Sequence, residues 1–193
     1  MGNNDQVVIG KESCIMIYEL VKFKDNPEAL SNPTQPYVFS QHDPEDTKKL
    51  AEAIVARMYE LKGVGISANQ LGIPWSIFAI RGEPADFVFF NPNITYYSPD
   101  RFKEEEACLS FPGLVVPIKR SHEIRLRFSD LNGDTSAETF KGLTARVCQH
   151  EFLHLQGRMW FEGCNRFHLE RAIRKAKNGG NDYSHLGLMR YAQ

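Results

Sequence analysis

Hydrophobic spacing divides the chain into a few readable stretches. "HDPEDTKKLAEAIVARMYELKG" predicts a helix over residues 43–62: Asp43 can cap it, Pro44 suits its first turn, Glu45 and Asp46 follow, and Gly63 ends it. Leu50, Ile54, Met58 and Leu61 recur at helical spacing and share one face, which should pack on a sheet. "HEIRLRF" at 122–128 alternates strictly instead, with Ile124, Leu126 and Phe128 facing one way and Arg125 and Arg127 the other, as in a half-buried antiparallel strand. Asn132-Gly133 then supplies a hairpin turn before "SAETFKG". Shorter apolar runs predict a strand near residues 75–80 and another strand, or a pair, in "DFVFFNPNITYY". From Leu143 to Gln156 helical spacing returns with Gly157 as its stop, and "RFHLERAIRKAKN" makes a last helix before Gly179-Gly180.

Residues 1–42 are rich in turn formers, and "DNPEALSNPTQP" carries three prolines, so this stretch reads as an irregular arm. There is no internal repeat. At 193 residues the whole chain, 1–193, reads as one catalytic domain, with residues 166–193 as a C-terminal helix and tail. Its 23 basic and 24 acidic residues nearly cancel, so no overall field argues for nucleic acid or a membrane surface. "FVFF" is far too short to span a bilayer and "MGNNDQ" lacks the features of a signal peptide, which makes a cytoplasmic location the expectation. Cys14, Cys108, Cys148 and Cys164 form no C-x-x-C pair and are expected as reduced thiols.

The chemistry concentrates in "VCQHEFLHLQG", residues 147–157. Residues four apart stand one above the other on a helix, so the imidazoles of His150 and His154 converge on one point, which suits a metal ion. Glu151 lies roughly 100° around the same helix, near enough to reach a water at the metal without being a ligand. A catalytic site needs a third protein ligand and an open position. A third histidine in the metzincin pattern is excluded, because Trp160 stands in its place. Glu162 or Glu170 would make a zinc peptidase. Cys148 points away from the histidines, whereas Cys108, in "EEEACLSFPG", sits where a loop can bring it across the helix and complete a tetrahedral site with one vacancy.

Three segments together resemble the peptide deformylase family: "GVGISANQ" at 63–70, "EACLS" at 106–110 and "HEFLH" at 150–154, in the family's order. The resemblance implies an α+β fold, with antiparallel β-sheets around a central metal-binding helix, and removal of the formyl group from N-formylmethionyl peptides. It implies Fe²⁺ in the cell, with Zn²⁺, Ni²⁺ or Co²⁺ as alternative occupants. Carried over, Cys108, His150 and His154 are the metal ligands, and Glu151 is the general acid and base. Gln70 and the backbone N–H of Leu109 hold the oxyanion, while backbone groups near Val64 and Gly65 dock the peptide. Leu143, Arg146 and Val147 precede His150 on its helix and should border the methionine pocket, with Arg146 extended to the rim. The family's frequent Asp within H-E-x-D-H is Leu153 here, and its arginine partner after a Val-Pro is Ile118, so these two are expected to pack together. Arg166, Arg171, Arg174, Lys175 and Lys177 on the last helix read as a solvated face in preference to a ribosome-docking one. A catalytically silent relative with a structural metal is disfavoured, because a closed site needs neither Glu151 nor Gln70.

Overall fold

The computed structural model describes residues 18–184 and residue 186. Cys14 and the first part of the arm lie outside the described residues. The chain runs through helix α1 (Pro27–Ser31), a 3-10 turn (Phe39–Gln41), helix α2 (Pro44–Glu60), strand β1 (Gly65–Ser67) and a second 3-10 turn (Ala68–Leu71). Strands β2 (Ile77–Ile80), β3 (Phe87–Tyr97), β4 (Arg101–Ala107), β5 (Val115–Ser121), β6 (Glu123–Ser129) and β7 (Thr135–Lys141) follow, then helices α3 (Gly142–Leu155) and α4 (Arg166–Asn178). An antiparallel sheet runs in the order β1-β2-β3-β6-β7, and β4 pairs with β5 separately. The fold is thus α+β with antiparallel sheets, as expected.

Three apolar clusters hold these elements. Ile54 and Met58 of α2 are fully buried against Ile66, Ile77 and Ala79, while Leu50 and Leu61 flank that cluster half-buried. The Asp43 carboxylate accepts the Glu45 N–H at 2.8 Å and starts the helix. β2 is buried on both faces because it serves two cores: Ile77 and Ala79 meet α2, and Phe78 and Ile80 enter the cluster built on α3. In that second cluster Ile124, Leu126 and Phe128 pack with Ala145, Cys148 and Leu155 of α3, leaving Arg125 and Arg127 exposed. The third gathers Val116 and Ile118 of β5, Phe111, Trp160 and Phe161 under Leu169, Ala172, Ile173 and Ala176 of α4. On the outer side of α4, Arg166 pairs with Glu170 and Lys177 with Asp182.

Local departures from the periodic reading have identifiable causes. "DFVFFNPNITYY" is one strand with an irregular register, and at its irregularity Asn91 takes φ +49° and exchanges two hydrogen bonds with the Tyr37 backbone. Within "DNPEALSNPTQP" a short helix forms because Pro27 occupies its first turn, where proline forfeits no hydrogen bond, and Asn26 caps it. Gly157, past the end of α3, has φ +65°, and a Cβ there would stand 2.5 Å from the Asn32 carbonyl carbon. No helix among the described residues is long and apolar enough to cross a membrane.

One polar cluster joins β4, β5 and α3. Alternation puts Phe102, Glu104 and Glu106 on one face of β4. The Glu106 carboxylate accepts Arg120 Nε at 2.9 Å on one oxygen and a terminal nitrogen of Arg120 at 2.7 Å on the other. Arg146 of α3 donates to the first oxygen, and His150 Nδ1 lies 3.0 Å from the second. Arg120 also donates to the Trp160 carbonyl at 2.7 Å. Leu153 and Ile118 therefore do not replace an ion pair. Ile118 is buried under α4 and Leu153, half-buried, is not among the side chains packed on that cluster, while the arginine lies two residues beyond Ile118, as Arg120, with Glu106 as its partner.

Burial alone would raise the Glu106 carboxyl, but hydrogen bonds from His150 and Arg120 and the Arg120 charge outweigh it and hold it at about 2. A carboxyl depressed in the folded state contributes stability that is present above its ordinary value of 4.5 and is lost as pH falls towards 2. Glu106→Gln should lower the unfolding free energy at pH 7 by about 3 kcal/mol or more, since it leaves buried guanidinium groups short of a counter-charge. Urea titrations from pH 7 to 2.5 should show the gap between variant and wild type closing below pH 5. Gly157→Ala should cost about 2 kcal/mol in the same assay, because the added carbon meets backbone that cannot yield.

Candidate metal centre and active site

Helix α3 presents His150 and His154 one turn apart, with ring centroids separated by 5.1 Å. Cys108 enters from the turn after β4, whose carbonyl accepts the Phe111 N–H at 3.0 Å, and its Sγ lies 3.2 Å from His154 Nε2. Ligand atoms of Cys108, His150 and His154 all fall within 4.8 Å of one another, and all three residues are buried. Glu106 engages His150 Nδ1, which leaves Nε2 of that ring for the common point. Trp160 stacks on the His150 ring, with centroids 5.1 Å apart. Asn69 donates to the His154 carbonyl at 2.7 Å and fixes the end of the helix.

The protonation states suit a metal. Burial lowers both histidines, so their imidazoles are neutral. Burial, followed by the charge of Glu151, pushes the Cys108 thiol well up. A divalent cation reverses that preference by stabilising the thiolate. Bonds of about 2.3 Å to sulfur and about 2.0 Å to nitrogen in a tetrahedral arrangement would set the donors roughly 3.3–3.6 Å apart. The observed spread accommodates such an ion, and His154 Nδ1 and Glu151 Oε2 are buried polar atoms with no hydrogen-bond partner among the described residues.

The remaining site residues come from two other elements. Gln70 lies in the 3-10 turn after β1, where its Oε1 accepts both the Ser67 N–H at 3.0 Å and the Ser67 hydroxyl at 3.1 Å. Its amide nitrogen is thereby aimed at Cys108 Sγ, 3.4 Å away, and at the Ser110 hydroxyl, 3.1 Å away. Glu151 is buried beside β1, and desolvation raises its carboxyl to about 8 against the pull of Ser67. Gly65 has to be glycine there: a Cβ would stand 2.5 Å from Val147 Cγ1 and 2.8 Å from Glu151 Oε1. A cavity of about 470 Å³ opens over the cluster. Gln70, Cys108, His150 and Glu151 line it together with Val64, Gly65, Leu109, Leu143 and Val147. Val64 and Leu143 are exposed at its edge, whereas Leu109 and Val147 are half-buried.

The structure therefore brings together every residue singled out in the three motifs, but it moves others. Arg146 does not extend to the rim: it is 3% exposed and folded onto β4. Glu162 is taken up by Arg158 and the Met159 N–H, and Glu170 by Arg166, so neither glutamate of the peptidase reading joins the cluster. Cys148 is buried against the sheet and Cys164 bonds to the Asn165 carbonyl. Periodicity missed Glu106, Arg120, Asn69, Ser110 and Gln149, whose amide bonds the Ser121 N–H and C=O as a neighbouring strand would. Glu106 was open to discovery, because it stands two residues before Cys108 on a strand and shares its side.

Known proteins resemble this chain in sequence and fold. A sequence model of polypeptide deformylase matches residues 17–169. The peptide deformylase of Thermotoga maritima is 38% identical over 113 residues, which cover 58% of this chain and 69% of that protein. A crystal structure of the Thermotoga maritima enzyme superposes with a TM-score of 0.68 at 33% identity, covering 74% of this chain and 94% of that one. The structure of a peptide deformylase from Synechococcus elongatus in complex with actinonin shares the fold more completely, with a TM-score of 0.76 over 92% of this chain and 94% of that one at 24% identity. With the family match spanning most of its length and the three motif segments gathered at one cavity, the chain belongs to the polypeptide deformylase family.

Proposed function

We propose that removal of the N-formyl group from nascent peptides, the reaction of this family, is carried out here by a metal held on Cys108, His150 and His154, with Glu151 as the proton carrier. The observation that supports this reading is the meeting of one thiol and two neutral imidazoles within 4.8 Å, with Cys108 and His150 of that group and the buried Glu151 carboxyl on the wall of one cavity. When bound, the metal supplies Lewis-acid polarisation of the formyl carbonyl and acidifies water towards neutral pH. One thiolate and two nitrogens suit a transition metal of borderline softness, and Fe²⁺ is our assignment in the cell, with Zn²⁺, Ni²⁺ or Co²⁺ able to replace it.

Glu151 removes a proton from the attacking water and returns it to the departing amine, so that the C–N bond breaks to give formate and a free N-terminal methionine. Its carboxyl, raised to about 8, is poised to hold and release that proton near neutrality. The Gln70 amide cannot turn over without losing both bonds to Ser67, so its N–H groups, now directed at Cys108 Sγ and the Ser110 hydroxyl, stay at the site and can donate to the oxygen that gains charge. The Leu109 N–H, with no partner among the described residues, faces the same task. Val64, Leu143 and Val147 offer the apolar surface for the methionine side chain, and the backbone at Gly65 can approach the peptide because no Cβ intervenes.

Turnover of a formyl-Met peptide should be lost when the protein is stripped with a chelator and regained on adding Fe²⁺ or Co²⁺ without oxygen. Glu151→Ala should retain metal yet lower kcat by about 10² to 10⁴. Gln70→Ala should cost about 10² to 10³. Cys108→Ala should lose the metal itself, and metal retained at wild-type content in that variant would overturn the ligand assignment.

A further inference from the structure

We propose that Arg146 is a positioning residue, which ties the wall of the substrate cavity to the metal ligand His150 through the Glu106 carboxylate. The inference rests on the reading above that His150 binds the metal. Arg146 precedes His150 by one turn of α3 and lines the cavity, yet it is 3% exposed. Its guanidinium donates to Glu106, to the Phe102 carbonyl of β4 at 2.7 Å and to the Ile118 carbonyl of β5 at 3.2 Å, and it lies 4.3 Å over the Phe102 ring. One side chain thus joins the helix that carries both histidines to both strands of the hairpin that carries Cys108.

Charge pairing alone does not account for it. Arg120 already meets Glu106 with two parallel hydrogen bonds, and the other carboxylate near Arg146, that of Glu104, lies 3.8 Å from its Nε on a side chain more than half exposed, where solvent weakens the pair. What Arg146 adds is geometry. With Arg120 and Arg146 on one oxygen, and Arg120 and His150 on the other, the carboxylate cannot pivot about the Arg120 fork. The His150 ring is then held with Nδ1 towards Glu106 and Nε2 towards Cys108 and His154.

The test measures the Zn²⁺ dissociation constant by chelator competition, and the His150 tautomer in metal-free protein by long-range ¹H–¹⁵N spectra. Arg146→Met should weaken Zn²⁺ binding about 10- to 100-fold, the usual loss for a partner behind a ligand, and should mix the two tautomers of His150. Arg146→Lys, which keeps the charge without the fork, should fall between this variant and wild type, and it carries the test if Arg146→Met does not fold. In a Glu106→Gln background either substitution should change Zn²⁺ affinity by less than about 3-fold, because the linkage is already cut. Zn²⁺ affinity and tautomer unchanged in Arg146→Met while only thermal stability falls, or a full additive loss in the Glu106→Gln background, would overturn the proposal. Wild type that binds Zn²⁺ no better than Cys108→Ala would instead sink the metal assignment on which it rests.

Discussion

A carboxylate taken out of water is stable only where its oxygens are fully met, and Glu106 imposes that condition on three elements at once. Its four hydrogen bonds come from β5 and from two successive turns of α3, so hairpin and helix must meet where both carboxylate oxygens are bonded. Cys108 is two residues beyond Glu106. With the carboxylate locked, the turn that follows β4 carries the thiol to 3.2 Å from His154 Nε2.

The dryness that makes this lock costly to break also sets the chemistry of the site. Burial raises Cys108 and Glu151, and the charge of Glu151 further disfavours a thiolate at Cys108. Two anions in one low-dielectric cavity disfavour each other, and a divalent cation between them removes the conflict. The histidines, lowered by burial, need shed no proton to serve as ligands. Affinity for a metal and a carboxyl poised near neutral pH therefore follow from one cause, the exclusion of water.

Much of this was legible in the chain. The 3.6-residue period of α2, the strict alternation of β6, and the His150, Glu151, His154 spacing each report on one element, and each appears where the period places it. What escaped is long-range. Glu106 looked like one acid in the run "EEEA", although alternation along a strand turns Glu104 and Glu106 to the same side. The residue after Val116-Pro117 is Ile118, which reads as an apolar replacement of an arginine, packed on Leu153. An arginine does stand one pleat further on, Arg120, on the same face of β5, where it reaches Glu106 while Ile118 packs under α4. Arg146 looked amphipathic, as a lysine or arginine on a helix usually does, because nothing within its own helix discloses the carbonyls of Phe102 and Ile118.

The site occupies the seam between the three apolar cores, and this explains its density of directional bonds. Cys108 is buried in the core beneath α4, whereas the adjacent Leu109 packs on the core of α2; Ala68 and Leu71, on either side of Gln70, belong to the α2 core as well. His150 and His154 ride on the helix whose Ala145, Cys148 and Leu155 fill the core of the sheet. Apolar packing is non-directional and would allow these bodies to slide against each other by more than a metal site tolerates. Each seam is accordingly crossed by a hydrogen bond with a fixed direction: Gln70 to Ser110, Asn69 to the His154 carbonyl, Gln149 to Ser121, and Arg146 to both strands of the hairpin. The cores supply the stability, and the bonds between them determine the distances at which a sulfur and two nitrogens can share one ion.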